Sequence, residues 1–218
     1  MKKSVVALGF LLLSLPLVAV IAAEQAFEEE LHYFEVIPPQ PGAEGDRVQV
    51  LEFFWYACPH CYTLEPHLNG WLEKKPDNIE FDRVPAMFPR EDVVLHAKTY
   101  YALRLMGVED ELHEKIFRVI HDEDRQLKTQ KDMEAFLDEQ KIDLEAYRKA
   151  MQSFAVQTQA RRAAVLAQRF DVSGVPAIVV DGKYRTTGLG GSTTMEVTDY
   201  LIQRVEEEKK KGAEAATR

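Results

Sequence analysis

Cysteine is scarce: the 218-residue chain has only Cys58 and Cys61. A disulfide-stapled scaffold and a four-thiolate metal site are thereby excluded. Positive charge is also short, with 27 Lys and Arg against 36 Asp and Glu and a formal net charge of −9. Nucleic-acid binding in general needs a basic face to neutralise phosphates, so that class is set aside. Beyond the N-terminus there is no long apolar run, and 46% hydrophobic with 29% charged residues is ordinary globular composition.

The one long apolar stretch runs from Ser4 to Ala23, behind Lys2 and Lys3, and ends in Ala22-Ala23. A basic start, an apolar centre and small residues at the end are the layout of a secretory signal peptide over 1–23, cut after Ala22 or Ala23. An uncleaved anchor is the alternative, because about 20 uncharged residues can span a bilayer. Export would place the remainder where disulfides persist, which gives a lone cysteine pair redox meaning.

Arg47 to Trp55 (RVQVLEFFW) is a near-continuous apolar run of strand length, as in a strand buried on both faces. The Cys58-Pro59-His60-Cys61 segment then opens a helical pattern with Leu64, Leu68, Trp71 and Leu72 on one side. Pro59 suits a first helical turn, where its missing N–H is not needed. Ile79 to Val84 reads as a second strand, completing a parallel βαβ unit. From Glu91 to about Arg169 the periodicity is helical, with Gly107 as a stop, Thr129 as a start and Asp143 capping a helix through Phe154. Strand signals return at Ala177–Val180 and Lys183–Thr186 around Asp181-Gly182, a strong hairpin signal. Thr193 and Glu196 form a capping-box pattern for a last helix, which fades into the charge run Glu206–Lys211, expected to be solvated. The order βαβ, helices, ββα is an α/β thioredoxin fold with an inserted all-helical domain. Its parts are 24–88 and 156–211 for the discontinuous thioredoxin domain, 89–155 for the insertion and 212–218 for a flexible tail.

At a helix N-terminus, unpaired backbone N–H groups and the helix dipole favour a Cys58 thiolate. That makes Cys58 the attacking sulfur, and Cys61, one turn on, the resolving one. A merely structural disulfide is the competing reading, disfavoured because closing so short a loop constrains the unfolded chain little. His67 lies about 120° around the helix from Cys61, so the two do not converge on a metal. The other histidines (His32, His96, His113, His121) show no ligand spacing with the pair and read as surface or packing residues. Glu52 interrupts an apolar strand and needs a partner. Alternation places Arg83 where a parallel pairing would bring it to Glu52, either as electrostatic support or as a simple structural ion pair.

Leu51-Glu52-Phe53-Phe54 with Cys58-Pro59-His60-Cys61-Tyr62, Gly174-Val175-Pro176-Ala177 and Val180-Asp181-Gly182-Lys183-Tyr184 resembles the DsbA family of periplasmic thiol:disulfide oxidoreductases. The resemblance implies an oxidase that donates its Cys58–Cys61 disulfide to reduced, unfolded exported proteins. A membrane protein of the DsbB type would reoxidise it by passing electrons to quinone, and no metal or organic cofactor would be needed. It further implies that His60 tunes the redox poise through the Cys58 thiolate, and that Val175-Pro176 is a cis-proline dipeptide facing the cysteines and pairing with extended substrate. The family usually has lysine where this chain has Arg83; arginine cannot deliver a proton, so it would support Glu52 electrostatically. A monomer is expected. A disulfide isomerase or reductase, and a periplasmic chaperone or binding module with an incidental CxxC, are the alternatives.

Overall fold

The seven residues of β2 (Val48–Phe54) have only Gln49 partly exposed, so the strand is sandwiched from both sides. The computed structural model describes residues 27–186 and 188–216, and the proposed leader lies outside them. Strand β1 (Tyr33–Glu35) precedes β2; helix α1 (Pro59–Leu72) and strand β3 (Ile79–Pro85) follow it. Helices α2 (Glu91–Met106), α3 (Glu109–His121), α4 (Gln130–Glu139), α5 (Leu144–Gln152) and α6 (Phe154–Arg169) come next. Strands β4 (Ala177–Val180) and β5 (Tyr184–Thr186) and helix α7 (Gly191–Ala216) complete the described chain.

The sheet order is β1-β5-β4-β2-β3, with β2 and β3 parallel and the other pairs antiparallel. Alternation divides the core in two. Val48, Val50, Ile178 and Val180 pack with Leu64 and Leu68 of α1 and with Val197, Leu201 and Val205 of α7. Leu51, Phe53, Ala177 and Val179 face the helical layer, including Tyr100, Leu112, Phe117 and Ala160. This is the thioredoxin fold with its helical insertion, and the sheet fixes where the two halves of the site meet.

Several local expectations need correction. The helix capped by Asp143 stops at Gln152, not Phe154: Ser153 is extended, and its hydroxyl accepts from the Val156 N–H at 3.2 Å to start α6. The return boundary drawn at 155/156 thus falls in the first turn of α6. Helix α7 begins at Gly191, two residues before Thr193, so the expected capping box does not open it. Gly191 lies against α1, where an added Cβ would stand 2.2 Å from the His67 ring. The tail expected over 212–218 is helical as far as Ala216.

The charge run is also not simply solvated. Glu208 accepts from the Tyr184 hydroxyl at 2.5 Å and from Lys183 at 2.9 Å. Lys209 pairs with the buried Asp181 at 3.1 Å and donates to the Ala43 carbonyl at 2.8 Å. Asp181 and Gly182 have φ of 49° and 66°, the left-handed pair of a tight hairpin turn. The end of α7 therefore clamps that turn.

Candidate active site

Strand β2 delivers the chain to Trp55, whose carbonyl accepts from the Cys58 N–H at 2.9 Å, and the helix starts at once with Pro59. Cys58 is the N-cap, with φ −86° and ψ 115°. Its sulfur accepts from the Cys61 N–H at 3.4 Å. The two cysteines are unbonded, Cys61 fully buried and Cys58 nearly so. The Cys58 thiol is pulled down from the ordinary 9.0 to about 6, above all by the hydrogen bond from the Cys61 thiol, with backbone N–H groups of Cys61 and His60 and the His60 charge adding to it. Burial and the neighbouring sulfur push Cys61 strongly up. One sulfur is thus set to ionise and the other to hold its proton. His60 and Pro59 are exposed beside them.

The opposing wall is the segment before β4. As a thiol, Cys58 donates to the Val175 carbonyl at 3.3 Å, although 117 positions separate them. Val175 and Pro176 are half-buried and joined by a cis peptide bond.

Beneath the cysteines the β2–β3 register sets Glu52 directly opposite Arg83. Arg83 Nε donates to Glu52 Oε2 at 3.1 Å, and Nη2 lies 3.6 Å from Glu65 Oε2. Two buried carboxylates share one guanidinium. Burial, then the Glu65 charge, pushes Glu52 up to about 8 against the pull of Arg83, and the Glu52 charge helps raise Cys61.

Sequence reasoning missed Glu65 and its partners. His113, read as a surface or packing residue, is buried with Nε2 3.3 Å from Glu65 Oε1 and Nδ1 3.1 Å from the Tyr56 hydroxyl. Glu109 approaches the same Nδ1 at 3.6 Å. Burial lowers the His113 pKa, favouring a neutral ring whose Nε2–H donates to Glu65 while Nδ1 accepts from Tyr56. A signal for Glu65 existed: Cys61, Leu64, Glu65 and Leu68 form the buried stripe of α1, so an acid stands at a core position.

The Cys58 shift carries a prediction. An acid depressed by the fold adds stability that is fully present above its unfolded value, near 9, and is lost as pH falls through 6. Between pH 5 and 8, the stability of the reduced protein relative to the oxidised one should therefore rise, by about 1–2 kcal/mol after allowance for solvent screening. The oxidised form has no thiolate, so other titrations largely cancel in the difference. Urea melts of both forms across that range check it, and a flat difference would count against the tuned thiolate.

The comparisons with known proteins agree with this geometry. Residues 49–203 match the family model of the DSBA-like thioredoxin domain. The chain is 38% identical over 208 residues to the thiol:disulfide interchange protein DsbA of Burkholderia cepacia, covering 93% of this chain and 98% of that protein. To the Azotobacter vinelandii protein of the same name it is 41% identical over 175 residues, 79% of this chain and 81% of the relative. The crystal structure of Pseudomonas aeruginosa DsbA superposes with a TM-score of 0.78 at 36% identity, covering 84% of this chain and 97% of that one. With a matching domain, near full-length relatives and a CxxC at the helix start, the chain belongs to the DsbA family of thiol:disulfide oxidoreductases.

Proposed function

We propose that this oxidoreductase is an exported, periplasmic, monomeric oxidase that passes its Cys58–Cys61 disulfide to newly exported proteins. The observation that carries the reading is the opposed tuning of the two sulfurs, Cys58 pulled down to about 6 and buried Cys61 pushed up. A substrate thiolate attacks Cys58 Sγ, the Cys58–Cys61 bond breaks, and Cys61 leaves and takes up a proton. A second substrate thiolate then attacks the substrate sulfur of the mixed disulfide and releases Cys58 as a thiolate, a good leaving group because its pKa is low. Two electrons pass from the substrate dithiol to the cysteine pair. Stabilising the thiolate stabilises the reduced protein, which makes the disulfide a strong donor.

An extended substrate segment would lie along Val175-Pro176, whose backbone faces Cys58. Glu52 and Arg83 support the site electrostatically from below. The cycle needs no metal or organic cofactor. Among exported proteins the substrates are reduced, unfolded chains, and a DsbB-type membrane quinone reductase would restore the disulfide.

Oxidised protein should convert a fluorescent dithiol peptide to its disulfide stoichiometrically, and in glutathione mixtures the protein should stay reduced until oxidised glutathione strongly predominates. His60→Ala should raise the Cys58 pKa, read from thiolate absorbance against pH, and shift the couple towards a less oxidising potential. A peptide left reduced, or a couple as reducing as glutathione, would defeat the oxidase reading.

A further inference from the structure

Glu65, His113 and Tyr56 form a buried polar chain to which the exchange steps above give no task. Glu52, Glu65 and His113 are 0%, 4% and 5% exposed. Phe54, Tyr56, Tyr100 and Phe117 pack against the imidazole with ring centroids 5.1–6.1 Å away. Groups so enclosed take their charge state from the few hydrogen bonds they make.

The two carboxyl groups compete for one guanidinium. Arg83 on its own favours Glu52 as the charged one, because Nε donates to Glu52 at 3.1 Å whereas Nη2 stands 3.6 Å from Glu65. Yet Glu52 is the carboxyl pushed up to about 8, by burial and then by the Glu65 charge. Glu65 has a donor that Glu52 lacks. His113 Nε2 lies 3.3 Å from Glu65 Oε1, the one hydrogen bond of that carboxyl group among the described residues. Which imidazole nitrogen carries the hydrogen is set by the bond at the other. The Tyr56 hydroxyl, 3.1 Å from Nδ1, donates there and so turns the N–H towards Glu65. Glu109 stands 3.6 Å from the same Nδ1, and burial pushes it up to about 7, which reduces its charge on the ring near neutrality. The other charged and titratable groups facing the cluster are Cys61 on α1, Arg83 on β3, Tyr100 and Arg104 on α2 and Asp110 on α3.

We propose that His113 is a positioning residue for the exchange reaction: its Nε2–H, oriented by Tyr56, keeps the negative charge of the buried pair on Glu65 and the proton on Glu52, beneath the cysteines. The consequence reaches the sulfurs through Glu52, whose charge is among the influences that raise Cys61. When a substrate thiolate attacks Cys58, the electron pair of the Cys58–Cys61 bond goes to Cys61. With Glu52 neutral, that pair arrives without a carboxylate charge directly below it. The direction of exchange rests on the oxidase reading, whereas the placement of the proton does not.

The test is a carboxyl ¹³C NMR titration of the reduced protein, with Glu52→Gln and Glu65→Gln assigning the two signals. His113→Phe keeps a ring and removes the donor, so the proton should pass to Glu65 and the Glu52 titration should move down by at least about one pH unit. His113→Gln, which offers an amide N–H where Nε2 stood, should restore it. In a Glu65→Gln background His113→Phe should leave the Glu52 titration in place, because the effect runs through the Glu65 charge. Dithiol-peptide oxidation at pH 7 should slow about threefold or more in His113→Phe and recover in His113→Gln. If the phenylalanine variant does not fold, Tyr56→Phe, which removes only the hydroxyl on Nδ1, should move Glu52 in the same direction. An unmoved Glu52 titration, no recovery with glutamine, or an equal shift in the Glu65→Gln background would each overturn the proposal. A moved proton with unchanged oxidation would refute the link to exchange, while an inactive wild type with the proton on Glu52 would refute the oxidase reading alone.

Discussion

Cys58→Ser should abolish disulfide exchange, whereas Cys61→Ser should leave the protein covalently joined to its substrates. The difference follows from burial and acidity. Cys58 sits at the helix start, facing Val175 and pulled down to about 6, so its sulfur both receives the incoming thiolate and leaves readily. Cys61 is fully buried and strongly raised, so a substrate has no access to it. Without Cys58 only the fully buried Cys61 sulfur remains of the pair, and the loss of exchange should be complete. Without Cys61 there is no disulfide to donate, but the Cys58 thiolate still attacks disulfides already present in exported proteins, expelling one substrate thiolate, and with no neighbouring thiol to attack Cys58 in return the adducts should accumulate. Alkylation followed by non-reducing electrophoresis reads both outcomes. Equal trapping by the two variants would remove the assigned asymmetry.

Arg83→Met should destabilise the protein by about 3 kcal/mol or more at pH 8.5, because it removes the counter-charge from a buried pair of carboxylates. Glu52 is fully buried and Glu65 nearly so, and Arg83 is the cation that reaches both. Burial and mutual repulsion already push Glu52 up to about 8. A carboxyl raised by the fold favours the native state while protonated, and that contribution is lost as pH rises through the folded value. The cost of Arg83→Met should accordingly be smaller at pH 6 than at pH 8.5. Glu52→Gln/Arg83→Met should recover a large part of the loss, since the amide needs no counter-charge, and should flatten the pH slope. Urea melts of the single and double variants at both pH values give the coupling. A loss below about 1 kcal/mol at pH 8.5, or no recovery in the double variant, would mean that Arg83 does not hold the two acids.

What could be read in the sequence was local. The β2 run, the CxxC with Pro59 behind it and the Asp181-Gly182 turn each declare themselves within a few residues, because period and backbone preference act over that range. The Ser153 break was hidden: Ser153 ends one helix and caps the next, with no loop between to mark it. Glu52 and Arg83 could be paired on paper because strand alternation carries one register across a parallel pair. His113 could not be paired in that way. Its partners Glu65 and Tyr56 are 48 and 57 positions away, and they meet it only because α3 packs against α1 and the segment that leads into it.

The hydrogen bond from Cys58 to Val175 joins a short-range device to a long-range one. Everything that makes Cys58 acidic lies within three residues of it, whereas the surface it faces arrives 117 positions later, after the whole helical insertion. As the chain emerges from its N-terminal side, the cysteine pair exists before the segment that comes to face it. The late step is closure of a large loop, the slow kind of contact in folding. The two sides of the active site are thus completed at different moments, the Val175 side only after the whole insertion has been made.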